Sequence, residues 1–199
     1  MRLNRRFIVI AAACAALAAC GEKGAATSAA GGAPEGVRTM GKADAPVKLV
    51  EYASMACPHC MEFNNLEFPA LKAKYIDTGK AHYELREILT PPNEVAAASF
   101  LLAECSGPKA YFKTIDAIFD DMQQRNALPD LEKVAKDQGL DMQKCLSDEE
   151  AIKALDARLS VNAPKITGTP TFFINDVKYE GPNTAADLGK AIDAAAAAK

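Results

Sequence analysis

Basic residues are nowhere gathered into a patch, although 23 of the 199 residues are Lys or Arg. Three arginines fall within the first six residues, leaving 20 basic against 26 acidic side chains from Cys20 onward. Phosphate recognition needs a clustered positive surface, so this balance excludes nucleic acid as a partner. Long apolar runs are also missing. The stretch at residues 7–19 is too short to cross a bilayer as a permanent helix. Histidine is scarce, with only His59 and His82, so a structural zinc site built on any cysteine pair lacks its further ligands.

What is present suits one globular domain with a sizeable core, 49% hydrophobic and 25% charged. The six cysteines, Cys14, Cys20, Cys57, Cys60, Cys105 and Cys145, divide by position into groups with different chemistry. Cys57-Pro58-His59-Cys60 follows an apolar run at 47–52 that reads as a strand, and it opens a segment that reads as a helix. Two cysteines separated by two residues at such a junction form a unit of dithiol and disulfide chemistry. Pro58 suits the first helical turn, where a missing N–H costs nothing. Cys57 then sits where unpaired N–H groups and the helix dipole favour a negative sulfur. A protonated His59 would add to that effect. Regular spacing places Cys60, Phe63, Leu66, Ala70 and Ala73 on one helical face, with Pro69 kinking the helix without ending it.

Glu51 is the anomaly of the first strand. It reads either as a solvated, edge-facing side chain or as a buried carboxylate that exchanges a proton with the buried cysteine. A second strand is expected at 81–88, followed by five helices up to about residue 163, the first capped by Asn93 and the fifth by a capping box at Ser147. Apolar stripes through Tyr111, Ile115, Phe119 and Met122, then Leu131, Val134 and Ala135, mark the second and third, and Ile152, Leu155 and Leu159 the fifth. Cys105 and Cys145 fall on expected core faces of these helices. They are either a structural disulfide, closing a loop of about 41 residues for about 4 kcal/mol at best, or two free thiols. Residues 166–174 read as a loop entering a strand, Asn175-Asp176 as a turn, 177–180 as its partner strand, and Thr184 as the start of a last helix.

At the amino terminus, residues 1–6 are basic and 7–19 apolar, as in a secretory signal. Leu17-Ala18-Ala19-Cys20 resembles the lipobox of bacterial lipoproteins, which implies cleavage before Cys20, acylation of that cysteine and a bilayer as partner. Residues 20–41, rich in Ala, Gly, Ser and Thr, read as a tether of about 25 Å root-mean-square span, with a strand over 37–40 as the alternative.

The Cys57-Pro58-His59-Cys60 centre, Glu51 six residues before it, the Gly168-Thr169-Pro170-Thr171 segment and the 41–47 stretch together resemble the DsbA family of periplasmic thiol-disulfide oxidoreductases. The resemblance spans roughly residues 40–197. It implies an α/β thioredoxin fold with an inserted all-helical subdomain, the thioredoxin halves at about 42–90 and 166–199 and the insertion at about 91–165. It also implies a cis Pro170 against the dithiol, with Thr169 offering its backbone to an extended substrate. The expected activity is disulfide donation to thiol-containing exported proteins by a monomer without cofactor or metal. Reoxidation by a DsbB-like membrane partner is implied with it. Two alternatives stand beside this one: an envelope reductase or isomerase, and a Cu(I)-binding module using Cys57, Cys60, Met55 and Met61.

Overall fold

The structure, a computed structural model, describes residues 36–126 and 128–198. The expected signal, Cys14, the acylated Cys20 and the tether up to residue 35 lie outside the described residues. A five-stranded sheet in the order β1-β3-β2-β4-β5 forms the centre. Its strands are β1 (Arg38–Met40), β2 (Val47–Ala53), β3 (Ala81–Glu87), β4 (Thr171–Ile174) and β5 (Val177–Lys178). β2 and β3 run parallel, and β1, β4 and β5 are antiparallel to their neighbours. β2 lies in the middle of the sheet with its residues almost wholly buried, which explains why its apolar residues do not strictly alternate with polar ones. β1 occupies part of the stretch expected as tether. Arg38 is held there by an ion pair with Glu104 and by the ring of Tyr111.

After β2 the chain enters one continuous helix over 58–76. It is built from α1 (Pro58–Glu62), a π-helical turn (Phe63–Glu67), α2 (Phe68–Leu71) and a second π-helical turn (Lys72–Ile76). The wide turns close with Phe68 N–H donating to the Phe63 carbonyl and Asp77 N–H to that of Lys72. Each π turn holds more residues than a regular turn and rotates the following face. The buried set is therefore Cys60, Phe63, Phe68, Leu71, Tyr75 and Ile76, with five-residue steps from Phe63 to Phe68 and from Leu71 to Ile76. Leu66, expected inward, is 62% exposed, and Ala70 and Ala73 are also outside. Pro69, which has no N–H to give to the turn before it, sits just after the first wide turn.

Between β3 and β4 lie α3 (Asn93–Cys105), α4 (Tyr111–Arg125), α5 (Leu131–Asp137), α6 (Met142–Leu146) and α7 (Glu149–Asn162). Pro92, not Asn93, takes the cap position of α3, and Asp148, not Ser147, caps α7 by accepting from Glu150 N and Ala151 N. α7 also differs in its inner face. Ile152 is exposed, whereas Arg158 and Asn162 are buried beside Leu155. The reason is Glu87, fully buried at the end of β3, which must be paired. Arg158 Nε donates to its carboxylate at 2.9 Å, and Asn162 Nδ2 to its main-chain carbonyl at 3.2 Å. Cys105 and Cys145 form a disulfide. Of the two, only Cys145 is buried; Cys105 lies on the exposed end of α3.

Asn175 and Asp176 turn the chain from β4 into β5 with φ of +48° and +69°, a geometry these two residue types tolerate. α8 (Ala185–Ala197), capped by Thr184, closes the fold with Leu188 and Ile192 fully buried. Together these elements make the α/β thioredoxin fold with its helical insertion. The shifted helix face carries a direct test by denaturant unfolding. Phe68→Ala is expected to cost about 3–5 kcal/mol and Leu66→Ala less than about 0.5, whereas a regular helix would reverse that order.

Candidate active site

The site forms at the C-terminal end of β2, where the chain turns into the 58–76 helix. Ser54 carbonyl accepts from Cys57 N–H at 3.1 Å, closing that turn. Cys57 is the N-cap of α1 in extended conformation, and Pro58 takes the first helical turn. The Cys57 sulfur faces the main-chain N–H groups of His59 and Cys60 as well as the Cys60 thiol. Its proton affinity falls to about 5, chiefly through the hydrogen bond from the Cys60 side chain. Burial works against this, and the Thr169 side chain and the two helix N–H groups add to it. As a thiol, Cys57 donates to the Thr169 carbonyl at 3.4 Å.

Cys60 has the opposite environment. It is wholly buried, and its proton affinity is pushed far up, first by burial and then by the nearby Cys57 and Glu51. The Ser54 N–H points at its sulfur from 3.5 Å. The Ser54 hydroxyl in turn accepts from Thr90 Oγ1 at 2.8 Å and Thr90 N at 3.1 Å, tying the turn before the dithiol to the loop after β3. Both cysteines are unbonded thiols in this structure.

Glu51 resolves to the buried alternative, 4% exposed in the central strand. Burial raises its proton affinity to about 7; the hydrogen bond from Tyr83 Oη at 2.7 Å opposes the rise, and the Cys57 charge adds to it. His59 departs from expectation. Its imidazole is 80% exposed and faces Glu62 at 3.8 Å, so its contact with the dithiol is through the main-chain N–H. Met55, needed by the copper alternative, is fully buried in the core.

The Thr169–Pro170 peptide bond is cis. Thr169 and Pro170 form one wall of a groove of about 360 Å³ whose other wall is His59, Glu62, Phe63 and Leu66. The outward Leu66 thus becomes part of the groove. Tyr83, Ser54 and Leu66 were missed by sequence reasoning. Tyr83 was reachable through the strand alternation, which puts it on the same sheet face as Glu51 once β2 and β3 are paired.

Two titrations check these environments. Alkylation of Cys57 in the reduced protein should be half-maximal near pH 5, with Cys60 inert across the neutral range. Glu51, with its folded proton affinity raised, favours folding only while protonated, and that contribution is lost as pH rises through about 7. In the oxidised protein, where the dithiol does not titrate, Glu51→Gln should therefore gain about 1–3 kcal/mol in urea unfolding at pH 8 and little at pH 4.

A family profile described as Thioredoxin matches residues 34–194. A Rickettsia bellii protein, provisionally named a protein-disulfide oxidoreductase, is 34% identical over 167 residues, 77% of this chain and 64% of that protein. The chain spans about three-fifths of the length of the first curated relatives it matches. The crystal structure of Wolbachia pipientis alpha-DsbA1 superposes with a TM-score of 0.70 at 29% identity, covering 82% of this chain and 92% of that one. A Novosphingobium aromaticivorans structure described as a protein-disulfide isomerase gives 0.65 at 25% identity, covering 81% and 97%. With the dithiol at the helix start, the cis Thr169–Pro170 bond and the helical insertion all in place, the chain belongs to the thioredoxin family, in its DsbA-like branch.

Proposed function

We propose that the protein is a thiol-disulfide oxidoreductase that donates a disulfide to exported proteins through Cys57 and Cys60. The observation that carries this reading is the opposed proton affinity of two sulfurs one helical turn apart. A substrate thiolate attacks Cys57 Sγ of the oxidised pair, forming a mixed disulfide, and Cys60 leaves and takes up a proton. A second substrate thiolate then attacks the substrate sulfur, and Cys57 departs as a stabilised thiolate. The substrate gains a disulfide and the enzyme two electrons. Reoxidation passes those electrons to a membrane partner, and Cys60 closes the ring again. Glu51 gives and takes the Cys60 proton, directly or through one water. The groove beside Thr169 and Pro170 holds the substrate chain, which pairs in extended form with the Thr169 backbone.

The protein acts as a monomer in the bacterial envelope, held by lipid on Cys20 and facing the periplasm. The strand order fixes where such a tether joins the domain. β1 runs against β3, with Arg38 opposite Leu85 near the C-terminal end of β3, so the chain enters the domain at the same end as the dithiol. Among the described residues no helix is long and apolar enough to cross a membrane. A reductase or isomerase is the second reading, favoured by the similarity to the structure described as an isomerase.

Thiol trapping of cell extracts separates the two. The oxidase predicts Cys57 and Cys60 mainly as a disulfide; a mainly dithiol population favours the second reading. Cys60→Ala should accumulate mixed disulfides on Cys57, visible as adducts that collapse under reducing agent, and absence of any adduct contradicts both. Metabolic labelling with a radioactive fatty acid should mark the wild-type chain and not Cys20→Ala.

A further inference from the structure

We infer that Tyr83 is a positioning residue for the dithiol, orienting Glu51 as the group that receives the Cys60 proton. The inference rests on the exchange chemistry proposed above. Glu51 and Tyr83 lie on adjacent parallel strands, with Glu51 opposite Leu85 and Tyr83 opposite Leu49. On this register Tyr83 shares Glu51's face of the sheet one diagonal step away, and its hydroxyl donates to Glu51 Oε2 at 2.7 Å. Among the described residues it is the sole hydrogen-bond donor to that carboxylate. Both residues are buried, so neither oxygen finds a ready substitute partner.

The ring of Tyr83 has little freedom to turn away. It packs against Phe68 at 4.9 Å between centroids and against Phe112 at 6.0 Å. Phe68 owes its inward position to the first π turn, so the irregular winding of the dithiol helix reaches the carboxylate through this ring. The charged and titratable groups acting on the pair are Cys57 and Cys60 from the dithiol side, and Tyr111 and Asp116 from α4 beyond Tyr83. No cation bonds to Glu51 among the described residues. A lysine or arginine there would hold the carboxylate ionised and make it a weak base. A neutral phenol fixes its direction while leaving it able to bind a proton in the neutral range. Burial and Glu51 itself keep the phenol proton in place, so Tyr83 remains a donor.

The step is ring closure. Cys60 transfers its proton to Glu51, its sulfur attacks Cys57 Sγ of a mixed disulfide, and the bond from Cys57 to the bound thiol breaks. The electron pair leaves on that thiol's sulfur, which is protonated by solvent. Both enzyme thiols have then been oxidised at the expense of the incoming disulfide.

The full-length exported protein, purified in detergent and reduced, is mixed with oxidised glutathione between pH 4.5 and 8.5. Ring closure is read by acid quench and mass spectrometry as loss of the Cys57 adduct. Tyr83→Phe removes the hydroxyl and keeps the ring. The acid limb of the closure profile should move up by about one pH unit, with closure at pH 6 about tenfold slower, while adduct formation keeps its profile. Glu51→Gln should abolish the limb, and Tyr83→Phe should add nothing in that background. Placing 3-fluorotyrosine at position 83, a stronger donor of nearly equal shape, should move the limb down, which tests the bond even where Tyr83→Phe folds poorly. Unchanged limbs in both Tyr83 variants, with adduct formation intact, overturn the positioning role alone. A limb that survives Glu51→Gln overturns the assignment of Glu51 and the inference with it. A wild-type protein that forms no adduct overturns the exchange reading as well.

Discussion

The site depends on the unequal surroundings of two sulfur atoms held one helical turn apart. Cys57 sits at the open start of a helix, where two main-chain N–H groups and the Cys60 thiol converge on it. Cys60, three residues on, is inside the protein, with the Ser54 N–H directed at its sulfur. Negative charge is therefore supported on one sulfur and opposed on the other. In the proposed exchange that asymmetry selects which sulfur attacks, which leaves, and which must find a base. The strand order serves it: β2 ends beneath the helix start, and β4 pairs with β2 so that Thr169 and Pro170, just before β4, arrive beside Cys57.

In the proposed exchange the buried Cys60 sulfur needs a proton acceptor that is itself buried, the role proposed for Glu51 on the central strand. The same sheet that places Glu51 under the dithiol places Tyr83 within reach of it, and the aromatic contacts of Phe68 and Phe112 hold Tyr83 there. The π turns in the dithiol helix have two outcomes from one cause. They swing Phe68 inward onto Tyr83 and Leu66 outward into the groove beside Thr169 and Pro170. The packing around Tyr83 and the lining of the groove thus share one backbone irregularity.

Much of this was legible in the sequence because it is local. The Cys57-Pro58-His59-Cys60 spacing, the stripe of Tyr111, Ile115, Phe119 and Met122 and the cap at Thr184 each follow from residues within a few positions of one another. The misreadings came from features that sequence spacing does not encode. A 3.6-residue period assigns Leu66 inward and cannot anticipate a wide turn. The polar inner face of α7 exists because Glu87, more than sixty positions earlier, is buried and must be paired by Arg158. Tyr83 becomes a partner of Glu51 only when strand register is known. The His59 ring points outward beside Glu62, whereas its N–H, the part that meets Cys57, is common to almost any residue there.

The asymmetry of the two sulfurs is tested most directly by comparing the unfolding free energies of the reduced and oxidised proteins across pH. The depressed proton affinity of Cys57 contributes stability to the reduced form only. That contribution is complete above the ordinary thiol range, shrinks through neutrality, and is lost once pH falls below about 5. The reduced protein should be more stable by about 1–3 kcal/mol at pH 7, and the gap should close as pH approaches 5. An oxidised form at least as stable as the reduced one at pH 7, with a gap that does not respond to pH, would contradict the account.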